Sequence, residues 1–190
     1  MMISNKKRLY AMGLIFFAVI FVIADFYIYN HKKATDARNL EYEAYKAYFQ
    51  QKFSLAGDLF IKAYDKKKNI SYLLNAGYAY DSAGQPEKAI NCLSRIAGMG
   101  DEAFSNLAKF KMAMIYLKNN DRALAVKTLK EILNEKSPVM KDIALYELAR
   151  IYGETDKTES QKYYQEIINK FPSSPLVDSA KMELQKLQKN

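Results

Sequence analysis

"LLNAGYAYDSAGQPEKAINCLSRI", residues 73–96, decides the fold. Leu73, Ala76, Gly77 and Tyr80 recur at three- and four-residue intervals. The polar break "DSAGQP" follows, and then Ala89, Leu93 and Ile96 take up the same spacing. Helical periodicity on both sides of a short breaker predicts two antiparallel helices joined by a turn. Such helices approach closely, so their crossing needs small side chains, here Gly77 and Ala89. Large neighbours one turn away, Tyr80 and Leu93, fill the groove around the crossing.

The pattern repeats. Under this stretch lie "KFKMAMIYLKNNDRALAVKTLKEIL", residues 109–133, and "LYELARIYGETDKTESQKYYQEII", residues 145–168. Tyr80, Tyr116 and Tyr152 stand 36 residues apart. Three positions before each is a small residue: Gly77, Ala113, Ala149. In the second helix the small residue is Ala89, Ala125 or Ser160, followed by Leu93, Leu129 or Tyr164 and then Ile96, Ile132 or Ile167. A more degenerate copy comes first, with Ala44 in "LEYEAYKAYF" and Phe53, Ala56, Phe60 and Ala63 in "KFSLAGDLFIKAYDKKK". One hairpin leaves an apolar face bare, so its neighbour must cover it and a solenoid results.

This pattern resembles the tetratricopeptide repeat, which has small residues at its eighth and twentieth positions and a tyrosine at its eleventh. The resemblance spans residues 37–172 and departs from the family in a period of 33 to 36, in Ser160 for alanine, and in the absence of tryptophan. It implies an all-α solenoid of four hairpins. Ser137-Pro138 and Ser174-Pro175 each set a capping serine before a proline expected at the first helical position. The second is expected to begin a capping helix within residues 173–190, whose inner face is Leu176, Ala180, Leu184 and Leu187.

The N-terminus is of another kind. After a basic tail, residues 1–8, residues 9–29 are almost unbroken hydrocarbon, long enough at about 1.5 Å per residue to cross a core of about 30 Å. Val22 and Ala24 fit a signal-cleavage site. However, "DFYIYN" after them continues the apolar run and offers Phe26, Tyr27 and Tyr29 to the interface. Retention as a signal anchor is the reading, with removal of a signal peptide as the alternative. Asp25 is expected near the outer interface rather than as a proton site. Residues 30–36 are expected to link this helix to the repeats. Basic residues flank both ends of the segment; the orientation expected is N-terminus in the cytoplasm, with the repeats outside.

Of the formal charge of +8, residues 1–33 hold +4: Lys6, Lys7, Arg8, Lys32 and Lys33 against Asp25. The remaining lysines are scattered along polar faces, which predicts a solvated surface and no nucleic-acid partner. Cys92 is the one cysteine, so no internal disulfide forms, and it is read as a small helix residue rather than a reactive thiol. His31, the one histidine, lies in the membrane flank, and no phosphate loop, GxSxG or HExxH occurs. Accordingly no catalytic residue, metal site, cofactor or small-molecule substrate is expected.

A binding surface is expected instead. In the tetratricopeptide family the first helix of each pair lines a concave groove. Carried over copy by copy, this implies a peptide-binding groove of Tyr45 and Tyr48, Leu74 and Tyr78, Phe110 and Met114, and Tyr146 and Arg150. The alternative is that some of these pack between repeats. Tyr78 and Met114 stand where the carboxylate-clamping members of the family have asparagine. Basic tail, membrane helix and repeat domain together resemble the ancillary subunit of the bacterial SecYEG translocon. The tail from Ile168 resembles repeat lipoproteins of the β-barrel assembly machinery and Tol-associated periplasmic proteins, but no lipid-attachment cysteine follows the apolar segment. These resemblances imply a scaffold on the outer face of the inner membrane with a protein or peptide partner in the envelope, a translocon or chaperone, in secretion or envelope assembly. The alternatives are a secreted periplasmic protein and a structural spacer.

Overall fold

The computed structural model describes residues 5–189. The tail at 1–8 and the capping segment at 173–190 thus lie partly outside the described residues. Nine α-helices and no strand occur among those described: α1 (Asn5–Phe49), α2 (Phe53–Lys66), α3 (Ile70–Ser82), α4 (Pro86–Ala97), α5 (Glu102–Lys118), α6 (Arg122–Asn134), α7 (Lys141–Gly153), α8 (Lys157–Lys170) and α9 (Val177–Lys189). They form the four expected hairpins, each packed on the next, with α9 against α8 at the end.

The hairpin turns carry the repeat in their backbone. Gln51, Gly84 and Asn120, spaced 33 and 36 residues apart, all take left-handed φ, at 59°, 68° and 62°. In each case the next N–H reaches the carbonyl five residues back: Lys52 to Ala47 (2.9 Å), Gln85 to Tyr80 (2.9 Å) and Asp121 to Tyr116 (2.8 Å). This is the Schellman closure, which glycine and asparagine accept most readily. The same closure after α1 makes the degenerate first copy like the second and third, whereas the α7–α8 turn closes without a left-handed residue, the Asp156 N–H reaching the Tyr152 carbonyl (2.6 Å). Helix starts are set by side chains: the carboxylates of Asp101, Asp121 and Asp156 and the amide oxygen of Asn69 each accept from an N–H of the first turn. Pro86 opens α4.

At the crossings the small residues are buried as expected. Ala89, Ala113, Ala125, Ala149 and Ser160 are fully buried, and a β-carbon on Gly77 would lie 3.3 Å from the Leu93 side chain. Ser160 replaces alanine at no cost in hydrogen bonding, because its hydroxyl donates to the Ala149 carbonyl at 2.7 Å. The repeat tyrosines reach back to the preceding hairpin. The Tyr80 hydroxyl donates to Asp58 Oδ1 (2.7 Å), and Lys130 Nζ donates to the Tyr152 hydroxyl (3.0 Å). Tyr116 is half-buried.

Two buried clusters share α5. Ala108 and Ile115 belong to the first, with α1–α4; Phe110 and Ala113 belong to the second, with α6–α9. Leu176, Ala180, Leu184 and Leu187 close the second cluster, so α9 covers the end of the solenoid. Ser174 Oγ accepts from the Leu176 N–H (3.1 Å) and donates to Asp142 Oδ2 (2.6 Å), which fixes the entry to α9.

Two expectations need revision. Neither Ser-Pro pair puts its proline at the first helical position: α9 begins at Val177, two residues past Pro175, and α7 begins at Lys141, after Met140 at φ 66°. The Ser137-Pro138 segment is instead drawn onto α5, where the Ser137 N–H donates to Glu102 Oε2 (2.7 Å) and Asn106 Nδ2 donates to the Val139 carbonyl (3.0 Å). The segment 30–36 is helical, so α1 runs without a break from the apolar stretch into the first repeat. Its apolar portion is long enough to cross a membrane by length and composition, and none of that portion is buried in the fold.

Gly57 is a structural position that the repeat pattern does not reveal. A β-carbon there would fall 2.6–2.8 Å from three atoms of the Tyr80 ring. That ring is buried and tied by its bond to Asp58, which opposes its swinging aside. Gly57→Ala is therefore expected to destabilise by about 1–3 kcal/mol through overpacking. A thermal melt of the variant against the parent checks this; an unchanged melt would mean that Tyr80 has room to move.

Candidate functional site

The odd-numbered helices line a series of hollows, and the aromatic residues gather at the first. Tyr45 and Tyr48 come from α1, Asn75, Tyr78, Asp81 and Ser82 from α3, and Phe60 of α2 forms the floor of a hollow of about 280 Å³. Its walls are fixed by contacts within it. Asn75 Nδ2 donates to the Tyr45 hydroxyl (2.9 Å), the Tyr48 and Ser82 hydroxyls lie 3.4 Å apart, and the Tyr45 ring stands edge-on to Phe60 at 5.1 Å between centroids. Tyr45 and Tyr78 remain 41% and 37% exposed. Two large, half-open aromatic rings over an apolar floor suit an apolar side chain of a partner, with Asn75 and Asp81 supplying polar contacts.

A second hollow, also about 280 Å³, opens on the other side of Tyr78 between α3 and α5 and shares Tyr78 and Asp81 with the first. Met114 lines it, and Lys111 Nζ lies 5.2 Å from the Tyr78 ring centroid. Lys118 Nζ bonds Asp81 Oδ1 at 2.8 Å across this gap. A third hollow, about 410 Å³, lies toward the C-terminal end and is ionic in character. There Arg150 pairs with Glu147 (3.0 Å) and Arg122 with Glu154. At its edge the Tyr164 hydroxyl is pushed up to about 12, chiefly by burial.

The eight expected groove residues therefore divide. Tyr45, Tyr48, Tyr78, Met114 and Arg150 line the hollows. The row Leu74, Phe110 and Tyr146 turns inward: Leu74 packs on the first cluster, and Tyr146 packs edge-on against Tyr164 at 5.5 Å. Phe110 is the clear correction. It is 7% exposed within the second cluster and belongs to the core, not to the groove. The sequence reading passed over Asn75 and Ser82. Their spacing from Tyr78, three before and four after, places them on the same helix face, and that was the available signal. Cys92 is buried, and burial pushes its thiol up to about 11, as befits a packing residue.

Stacked antiparallel hairpins with a hollowed face on their first helices define a helical-repeat solenoid, a class of protein–protein interaction scaffolds. A tetratricopeptide-repeat family model matches residues 107–135 and 143–174, the hairpins α5–α6 and α7–α8, so these two hairpins read as tetratricopeptide repeats. No curated protein sequence matches the chain. Among ten solved chains that match is a crystal structure of MamA protein, at 18% identity and a TM-score of 0.57, covering 84% of this chain and 88% of that one. At this identity the likeness is one of fold.

Proposed function

We propose that the protein is a single-pass membrane-anchored scaffold that holds an extended or helical segment of a protein partner against α1, α3 and α5, on the outer face of a bacterial inner membrane, in secretion or envelope assembly. The observation that carries this is the position of Tyr78, half-open between two hollows and flanked by Tyr45 and Met114. Rigid aromatics are efficient anchors, and a flexible methionine beside them tolerates varied side chains. The membrane address rests on α1, one helix that is apolar and bare at its first half and packed into the first repeat at its second. No catalysis, cofactor or nucleic acid enters the proposal.

The test combines topology with capture. A reporter fused to the C-terminus should be active only outside the cytoplasm, and a photo-crosslinker at Tyr78 should trap a polypeptide that one on the exposed α6 residue Lys127 does not. A reporter active only inside removes the envelope partners. A mature N-terminus at Asp25 makes α1 a cleaved signal. Capture through α4, α6 or α8 alone supports the spacer.

A further inference from the structure

We propose that the end of the solenoid nearest the membrane binds the anionic phospholipid headgroups of the bilayer that α1 crosses, holding the domain upright on the surface. This rests on the reading that α1 spans the membrane. Because α1 continues as the first repeat helix, its direction fixes which turns face the lipid. α2 runs back along α1, with Tyr48 against Phe53 (5.0 Å) near the turn and Tyr45 against Phe60 (5.1 Å) further down. The C-terminal end of α2 and the turn after it therefore return toward the apolar segment.

The level of that turn can be read from α3. Tyr72 donates to Glu41 (3.2 Å) and Asn75 to Tyr45 (2.9 Å), so α3 rises beside α1 in parallel and its start lies beside the part of α1 that precedes Glu41. The turn Lys67–Asn69 accordingly sits close to Asp36–Arg38. From Tyr29, the last aromatic of the apolar stretch, to Asp36 is seven residues, about 10 Å of helix. The headgroup layer occupies about 5–7 Å of this distance, and lysine side chains extend toward it.

The residues presented there are mainly basic. Lys32 on α1, Lys66 at the end of α2, Lys67 and Lys68 after it, and Arg95 at the end of α4 are exposed, with Lys33 half-buried. Lys68 and Arg95 both lie over the Tyr64 ring, at 4.4 and 4.8 Å from its centroid, which ties the two turns into one rim. The nearby carboxylates are fewer: Asp36, Asp101, which caps the start of α5, and Asp65, which pairs with Lys68 at 3.0 Å while both side chains stay 62% exposed. Lys33, Lys68 and Arg95 lie over tyrosine rings, while among the described residues no ion pair holds Lys32, Lys66 or Lys67. Clustered lysines beside a membrane helix are drawn to anionic lipid, each adding to the attraction within a Debye length of the surface. The lipid bilayer is the occupant because the same helix that carries the rim also fixes its distance from the membrane.

The experiment uses the full chain reconstituted in vesicles of phosphatidylcholine alone or with about one third phosphatidylglycerol. Trypsin cuts after Lys66–Lys68 are measured relative to the cut after Lys52, in the turn at the opposite end. The expected result is a ratio about fivefold or more lower in the anionic vesicles, regained in about 0.5 M salt. In Lys67→Gln/Lys68→Gln, with Lys66 left as the cleavage site, the protection should largely disappear. A ratio equal in both lipids, or protection insensitive to salt and to the double substitution, overturns the proposal. An alkaline wash separates the two failures: a retained chain with an unchanged ratio removes the rim contact alone, and a chain that washes off removes the spanning reading and the rim with it.

Discussion

Phe110→Ala should lower the stability of the domain by about 3–5 kcal/mol, the largest loss expected from any single substitution considered for this chain. The ring is 7% exposed and packs in the cluster that holds Ala113, Leu129, Ala144 and Leu145. Removing it strips buried apolar contact and leaves a cavity between the third and fourth hairpins, which rigid helices close only in part. Thermal unfolding of the full chain in detergent, followed by helical circular dichroism, is the measurement. A melt within about 0.5 kcal/mol of the parent would place Phe110 on a free surface and return it to the groove.

Tyr45→Ala/Tyr78→Ala should have the converse signature. Both rings are partly open, so the fold should survive with a loss of about 1 kcal/mol, mainly from the Asn75–Tyr45 hydrogen bond and the edge contact with Phe60. Binding of the partner trapped at Tyr78 should weaken by at least about 2 kcal/mol, roughly thirtyfold in Kd, since large aromatics over a pocket dominate such interfaces. Unchanged affinity in a folded variant would remove these tyrosines from the site. A variant that unfolds as readily as Phe110→Ala would mean that α1 and α3 hold them as core.

Most of the fold was legible because each hairpin solves a local problem. The crossing pairs Gly77 with Ala89, Ala113 with Ala125 and Ala149 with Ser160 depend only on short-range helix contact, so their spacing shows directly in the chain. The turns that close α1, α3 and α5 are equally local: glycine and asparagine stand at two of their three left-handed positions. The inner face of α9 follows from three-four spacing alone and packs as that spacing predicts.

What the sequence determined by itself is the hairpin: which residues face across a pair, where each turn falls, and that an apolar helix leads into the first copy. Tertiary structure alone decided the relation between hairpins. A helical wheel places Leu74, Phe110 and Tyr146 beside Tyr78, Met114 and Arg150, but which row meets the next hairpin depends on the angle between pairs. That angle turned Phe110 into the second cluster and left Tyr78 between two hollows. Likewise, Ser137-Pro138 has the local grammar of a helix start, yet Glu102 and Asn106, more than 30 positions earlier, draw that segment onto α5. Gly57 needs its missing side chain only because Tyr80 arrives from the following repeat. Short-range periodicity records contacts within a hairpin, while contacts set by the rotation of one hairpin on another leave no fixed spacing in the chain.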